Sequence, residues 1–548
     1  MMLQLNPVTQ YVVEDRVAVA TINSPPVNAL GHAVREGISA AIERSLADPD
    51  AIAMVLICAG RTFFAGADIR EFGRPLASPV LREIGVQMEA ASKPLVAAIH
   101  GTALGGGLEV ALACHWRIAA ADAKLGLPEV KLGLLAGAGG TQRLPRLVGA
   151  TMALDMVVSG DPIDARSAFS AGLVDALAET DLRADAIRFA RGIAEQADRL
   201  RRVRDLPPPT ADARLFADFR AAHAERLGGF EAPEASIKCI EAATFETFEE
   251  GMRIERELFD GLMPGVQCAA QRYNFFAERE AAKVPGLGKD VSALPLDVIA
   301  IRGKGALAAR LEAAGIGIAE EGENRLTLDV RPAGAPTMAS GSKGVERTVP
   351  VRLAPEGDAQ LIEMFRSPGL GDAALAAALA VAKRLGLTSV VTLAGDEFIG
   401  RRMAERLAID VGRCLDDGIA AEALGAAAGD FGLEIRVCAP AGSVAGSPPQ
   451  NPDDIIERLV VPQINEGAHL LEGGGAARAS DIDIACVKSG MWKVYRGGPM
   501  FHAGQIGLAR VIEILRSYEA RWGKDYRPAP LLERLAAVGA TLHDYKGD

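Results

Sequence analysis

The sequence predicts an α/β fold that gives way to helices, and three observations carry the prediction. Short apolar runs, Val17–Ile22 and Ala53–Cys58, flank an amphipathic stretch over Leu30–Ala47, the pattern of buried strands around a helix. A further apolar run, Pro94–Ile99, leads through Gly105-Gly106-Gly107 into a helix-like run over Leu108–Ala121. From Ala186 to about Glu280 the chain is alanine-rich and helical. Strand-like text returns near Val298, and long amphipathic runs, Ile455–Leu471 and Pro499–Trp522, follow.

Between the first strand and the first helix, Ser24-Pro25-Pro26-Val27-Asn28-Ala29-Leu30 reads as a rigid turn with Asn28 placed to cap the helix. The triple glycine after Pro94–Ile99 opens a helix, so unpaired backbone N–H groups at a positive dipole end face whatever oxygen lies there. Glycine lets that oxygen come close. Glu109 sits in the first turn of this helix, and Glu129 follows Gly126-Leu127-Pro128. Two carboxylates beside an anion-stabilising backbone pocket can move protons next to a developing oxyanion. Each also has a plainer reading, as a first-turn glutamate that complements a helix dipole. His100 and His115 read as a strand-end and a helix-surface residue. Gly160-Asp161-Pro162-Ile163-Asp164-Ala165 supplies an N-cap and helix start, Leu206-Pro207-Pro208-Pro209 a linker, and Phe245–Leu262 and Val266–Lys283 two amphipathic helices. The Gly/Pro/Ser-rich stretch Ala439–Pro452 reads as a loop.

Bulk properties exclude several classes. The 548 residues leave room for more than one domain, and 49% hydrophobic with 24% charged residues is ordinary globular composition. A net charge of −12 argues against nucleic acid as a partner. The seven cysteines are scattered and never in C-x-x-C spacing, which predicts reduced thiols and no metal site. Apolar runs fall short of the ~20 residues that span a bilayer. The N-terminus shows no signal-peptide pattern, and Lys546-Gly547-Asp548 is not a peroxisomal S-K-L address, so the expected compartment is cytoplasmic.

Two glycine-rich motifs and both glutamates occur in one order: Phe63-Phe64-Ala65-Gly66-Ala67-Asp68-Ile69, then His100 to Glu109, then Glu129 and Gly137-Ala138-Gly139-Gly140-Thr141-Gln142-Arg143. This set resembles the crotonase (enoyl-CoA hydratase/isomerase) family. The resemblance implies a ββα spiral core over residues 1–185. It implies that backbone groups at Val27, Ala29, Ala65, Asp68 and Ile69 hold coenzyme A, that the N–H groups of Ala67 and Gly106 form an oxyanion hole, and that Glu109 and Glu129 are the catalytic acids. Gly137 matches a position whose backbone orients the catalytic water; Ala136 stands where many relatives have proline. Asp68 has an equal alternative as a helix N-cap. The implied activity is hydration of a 2-trans-enoyl-CoA to a 3-hydroxyacyl-CoA, in fatty-acid β-oxidation or related acyl-CoA degradation. It needs no metal or redox cofactor, and the acyl-CoA thioester is the substrate. Isomerisation of the double bond, and a non-catalytic acyl-CoA-binding scaffold, are the alternatives.

The remainder resembles the multifunctional β-oxidation enzymes, in which a crotonase domain precedes a 3-hydroxyacyl-CoA dehydrogenase. That implies linker helices packing on the crotonase domain over 186–290, a truncated NAD-binding-like α/β segment over 291–392, and an all-α dehydrogenase-like domain over 393–548 that could mediate assembly. Val298 to Ala308 offers a strand, a G-x-G-x-x-A (Gly303, Gly305) and a helix, with Glu320 after a second strand. Glu320 follows too soon, and the resemblance resumes at Pro350 before a dinucleotide fold could be completed. The family's histidine position falls on Val351, although its orienting glutamate is matched by Glu363, and a family asparagine is replaced by Arg401. Valine cannot accept a proton, so the dehydrogenase half is expected to be inactive; the alternative is a bifunctional, NAD-dependent enzyme.

Overall fold

The computed structural model describes residues 2–547 apart from 72, 74, 197–199, 213, 289, 304–306, 322–324, 332–344, 356–358, 396 and 438–450. Gly305 and most of the Ala439–Pro452 stretch therefore lie outside the described residues. The chain forms two compact units, Met1–Cys268 and Ala269–Asp548.

The first unit is built on a seven-stranded sheet, in the order Leu3–Asn6, Thr9–Glu14, Val17–Ile22, Ala53–Cys58, Leu95–Ile99, Trp116–Ala119, Ala176–Leu177. The first three strands pair antiparallel and the rest parallel. Parallel strands covered on both faces need apolar residues at every position, which is why these runs do not alternate with polar residues. Their side chains still divide by the two-residue period. Ala18, Ala20, Met54, Leu56 and Ala97 face the main core with Val34, Ile38 and Ile42 of helix His32–Ala47. Val17, Val19, Val55 and Val96 face a second core with Ala186, Ile187 and Ala190 of helix Leu182–Gln196. In a small sheet, Thr102–Leu104, which leads directly into the triple glycine, pairs with Lys124–Gly126, and that strand with Ile163–Asp164. The core continues past residue 185: Phe216, Phe219, Ile237 and Ile240 belong to it.

Two local expectations need correction. Asn28 does not cap the first helix, whose N-cap is Gly31. Asn28 takes a left-handed backbone (φ 52°), which asparagine tolerates, and its amide nitrogen donates to the carbonyls of Ala59 and Thr62, both at 2.9 Å. It ties the turn to the neighbouring loop. The helix-like run 108–121 is a helix, Gly106–Ala113, followed by a strand, Trp116–Ala119. All eight residues of that helix are buried, so no polar face marked its end.

In the second unit a six-stranded sheet runs in the order Gly317–Ile318, Val298–Arg302, Thr327–Val330, Thr348–Ala354, Leu361–Phe365, Thr388–Thr392. Only Thr348–Ala354 and Leu361–Phe365 pair antiparallel. Helices from Ile399–Asp416 to Pro530–Ala537 form a separate apolar core around Val461, Ile482, Trp492 and Leu515. The amphipathic run 499–522 breaks at Gly507 (φ 88°) into Pro499–Ile506 and Leu508–Trp522. Among the described residues no helix is long and apolar enough to cross a membrane.

Candidate active site

Two loops meet at the triple glycine. Leu104 N–H donates to the Phe64 carbonyl (3.0 Å) and Gly105 N–H to the Gly126 carbonyl (2.9 Å), while Leu30 N–H donates to Gly66 (2.9 Å). The approach is close enough that a Cβ on Gly107 would run into the Phe64 carbonyl. Gly105 has φ 53° and turns the chain into the helix. Gly106 is the first residue of that helix, so its N–H has no partner within it. The position its Cβ would take lies 3.4 Å from the Ala67 nitrogen, so the two loops approach closely here.

Glu109 is buried on this helix, and its Oε1 accepts from the N–H groups of Ala138 (2.6 Å) and Gly140 (2.8 Å). Burial raises its proton affinity above the ordinary glutamate range, opposed by those two amides and by Arg143 and Arg82. Glu129, on the short helix Pro128–Leu132, lies against Gly105, where a Cβ would come within 2.8 Å of its Oε1. Its Oε2 is buried with no hydrogen-bond partner among the described residues. Burial and then the charge of Glu109 push the Glu129 carboxyl well above its ordinary range, and Glu255 adds to the rise. One acid is therefore suited to hold charge and the other a proton, as an acid–base pair requires.

A cavity of about 580 Å³ is lined by Ala65, Ala67, Ile69, Gly106, Glu109, Glu129 and Gly137. Val27, Ala29 and Asp68 are not among its lining residues. The Asp68 carboxylate accepts from Arg70 N–H at 3.1 Å and pairs with its guanidinium, the capping alternative, and Arg70 holds it below the usual carboxylate range. His100 contacts the Gly60 carbonyl, and buried His115 accepts from Leu95 N–H at 3.0 Å. Burial pushes His115 down to about 4. His100 follows the end of a strand as expected, whereas His115 is fully buried between a helix and a strand and not on a helix surface.

The sequence reading missed the far wall. Arg82 and, from helix Phe248–Leu262, Arg256, Phe259 and Asp260 also line the cavity, and a Cβ on Gly137 would run into the Phe259 ring. Glu255 of the same helix is 1% exposed. Its Oε1 accepts from Gly139 N–H (2.7 Å) and its Oε2 from Thr141 N–H (3.2 Å) and Oγ1 (2.5 Å). The available signal was periodic: Phe248, Gly251, Glu255, Phe259 and Leu262 recur at helical spacing, placing an acid on a buried stripe.

Glu363 is fully buried, accepts from Gly400 N–H (2.6 Å) and pairs with Arg352. Val351 is fully buried on the neighbouring strand. Arg401 pairs with Glu397 and Glu405 of its own turns. Gly303 (φ 91°) ends the strand Val298–Arg302, and Glu320 follows the edge strand Gly317–Ile318. Among the described residues no group of three or more His, Cys, Asp or Glu could hold a metal ion.

A family profile described as enoyl-CoA hydratase/isomerase matches residues 13–206. A probable enoyl-CoA hydratase of Bacillus subtilis (strain 168) is 46% identical over 189 residues, which cover 33% of this chain and 72% of that one. The chain belongs to the enoyl-CoA hydratase/isomerase family. Crotonase similarity does not end there. The peroxisomal bifunctional enzyme of Danio rerio is 29% identical over 96% of this chain and 97% of its own length, so the homology continues through the degenerate dehydrogenase-like region. The human peroxisomal bifunctional enzyme is 38% identical over 53% of this chain, and that match covers 41% of the human enzyme.

These relatives correct the cytoplasmic expectation. Those matched over half of the chain or more are named as peroxisomal or glyoxysomal proteins. The six described cysteines are free, but free thiols register only the lack of disulfides. A compartment address is read by a receptor and leaves no trace in bulk composition.

Proposed function

We propose that this crotonase hydrates 2-trans-enoyl-CoA thioesters to 3-hydroxyacyl-CoA. The observation that carries the reading is that the Glu109 and Glu129 carboxyls share one cavity with the backbone at Ala67 and Gly106. In this reading the thioester carbonyl oxygen sits between those two N–H groups, which draws electron density from the conjugated double bond and makes Cβ electrophilic. Glu109, whose charge two amides and two arginines stabilise, takes a proton from water as its oxygen bonds to Cβ. The π electrons move onto the thioester as an enolate. Glu129 gives its proton to Cα, and the carbonyl re-forms. One water is consumed, and proton exchange between the two acids restores them.

Keeping both acids favours hydration over isomerisation, which needs a single group to shuttle a proton. The printed names of relatives, such as the glyoxysomal fatty acid beta-oxidation multifunctional protein of Cucumis sativus, support fatty-acid degradation as the setting. The dehydrogenase half is proposed to be inactive, because Val351 offers no base and Arg352 neutralises Glu363. Loss of the ultraviolet absorbance of a conjugated enoyl thioester tests the hydratase reading. If the wild-type chain leaves that absorbance unchanged, the reading fails. NADH formation from 3-hydroxyacyl-CoA and NAD would refute the inactive half.

A further inference from the structure

Four successive backbone amides are shared alternately between two buried carboxylates. Ala138 and Gly140 donate to Glu109, while Gly139 and Thr141 donate to Glu255, 116 and 114 residues away in sequence. A segment gripped from both sides in this way cannot rotate one amide without breaking a bond to the other acid. The helix that carries Glu255 is itself anchored to the same segment. Phe248 lies under the guanidinium groups of Arg143, Arg146 and Arg204 at 4.9–5.3 Å. Gly251 leaves room for the Gln142 side chain, and Phe259 covers Gly137. Hydrophobic packing explains Phe248 and Phe259. It does not explain a carboxylate at a fully buried position, which is costly unless the group does something.

We propose that Glu255 is a positioning residue for hydration: it fixes the Ala138–Thr141 amides so that Glu109 keeps its Oε1 bonded and presents Oε2 to the reacting water. The inference rests on the hydratase reading. The charged and polar groups that bear on Glu255 are Glu109, Glu129, Arg82, Arg143, Thr141, and Cys239 on helix Glu231–Phe245. Because a charge on Glu255 adds to the rise in Glu129, Glu255→Gln makes Glu129 lose its proton more easily once the pH is high enough to ionise Glu255.

The test is Glu255→Gln in the full chain, with steady-state hydration of a short 2-enoyl-CoA followed across pH. The expected result is a fall in kcat of about ten- to hundredfold with KM nearly unchanged, the signature of misplacement at the reacting centre. The alkaline limb of the rate profile moves to lower pH. Wild-type kcat with an unmoved limb would overturn the inference while leaving the hydratase reading intact. An inactive wild type would instead remove the reading itself. Should Glu255→Gln fail to fold, Thr141→Val, which deletes the hydroxyl bond to Glu255 Oε2 together with the one accepted from Gln142 Nε2, takes its place. A severalfold lower kcat at constant KM supports the inference, and wild-type kinetics sink it.

Discussion

Each half of the molecule buries glutamates against backbone N–H groups, but their charges meet opposite fates. In the first unit Glu109 and Glu129 face one cavity, and no arginine forms an ion pair with either among the described residues. Arg82 and Arg143 act on Glu109 only from a distance, and Arg143 is committed to Glu89 at 2.8 Å. In the second unit Glu363 also accepts a backbone N–H, from Gly400, but Arg352 closes directly onto it. Burial raises the proton affinity of both cavity acids, whereas Glu363 is closed into an ion pair with Arg352. In the proposed reading the same residue type is chemistry in one place and a fastener in the other.

The contrast breaks first at Glu109. Glu109→Gln keeps the shape and removes the base, so hydration is expected to fall by about 10²–10⁴-fold. Binding of a saturated acyl-CoA, read by calorimetry, should hold. Loss of binding together with activity would mean that the substitution had disturbed the cavity and not the proton transfer.

A second difference appears in pH. Burial and the charge of Glu109 push Glu255 up to about 8. The folded chain therefore holds a proton there that the unfolded chain has released, and unfolding free energy falls as pH rises from the ordinary glutamate range to about 8. Urea midpoints should drop from pH 5.5 to pH 8, and Glu255→Gln should flatten that slope. A slope unchanged by the substitution would show that Glu255 is ionised throughout.

Arg352→Met tests the other side. It leaves Glu363 buried with only the Gly400 amide, which should destabilise the second unit by about 3 kcal/mol in a denaturant titration. Hydration at 25 °C should be untouched.

Much of the first unit could be read because its signals are local. A strand, three glycines and a glutamate in the following turn all fall within fifteen residues, and each position has one physical reason to be there. Glu255 could not be read that way. It stands in the run Glu249-Glu250-Gly251-Met252-Arg253-Ile254-Glu255-Arg256-Glu257, where its neighbours are solvated acids and only the helical period separates it from them. Asn28 was misread because capping and left-handed turns favour the same residue. The Arg352–Glu363 pair depends on antiparallel register, which places those two residues opposite one another and which no short window of sequence reveals.

Arg401 gives the smallest expected effect and the sharpest statement of the contrast. The resemblance implied a family asparagine at this position, and its guanidinium reaches Glu397 and Glu405, one turn away on either side at 3.2 and 2.8 Å. Helix-surface pairs at this spacing are worth about 0.3–0.5 kcal/mol each, so Arg401→Ala should cost at most about 1 kcal/mol. Its loss should leave hydration, and whatever NADH formation the wild type shows, unchanged. If Arg401→Ala instead altered the handling of a 3-hydroxyacyl-CoA, the second unit would still be engaging the thioester at its old site. Arg352 and Arg401 would then have to be reinterpreted as binding groups instead of fasteners.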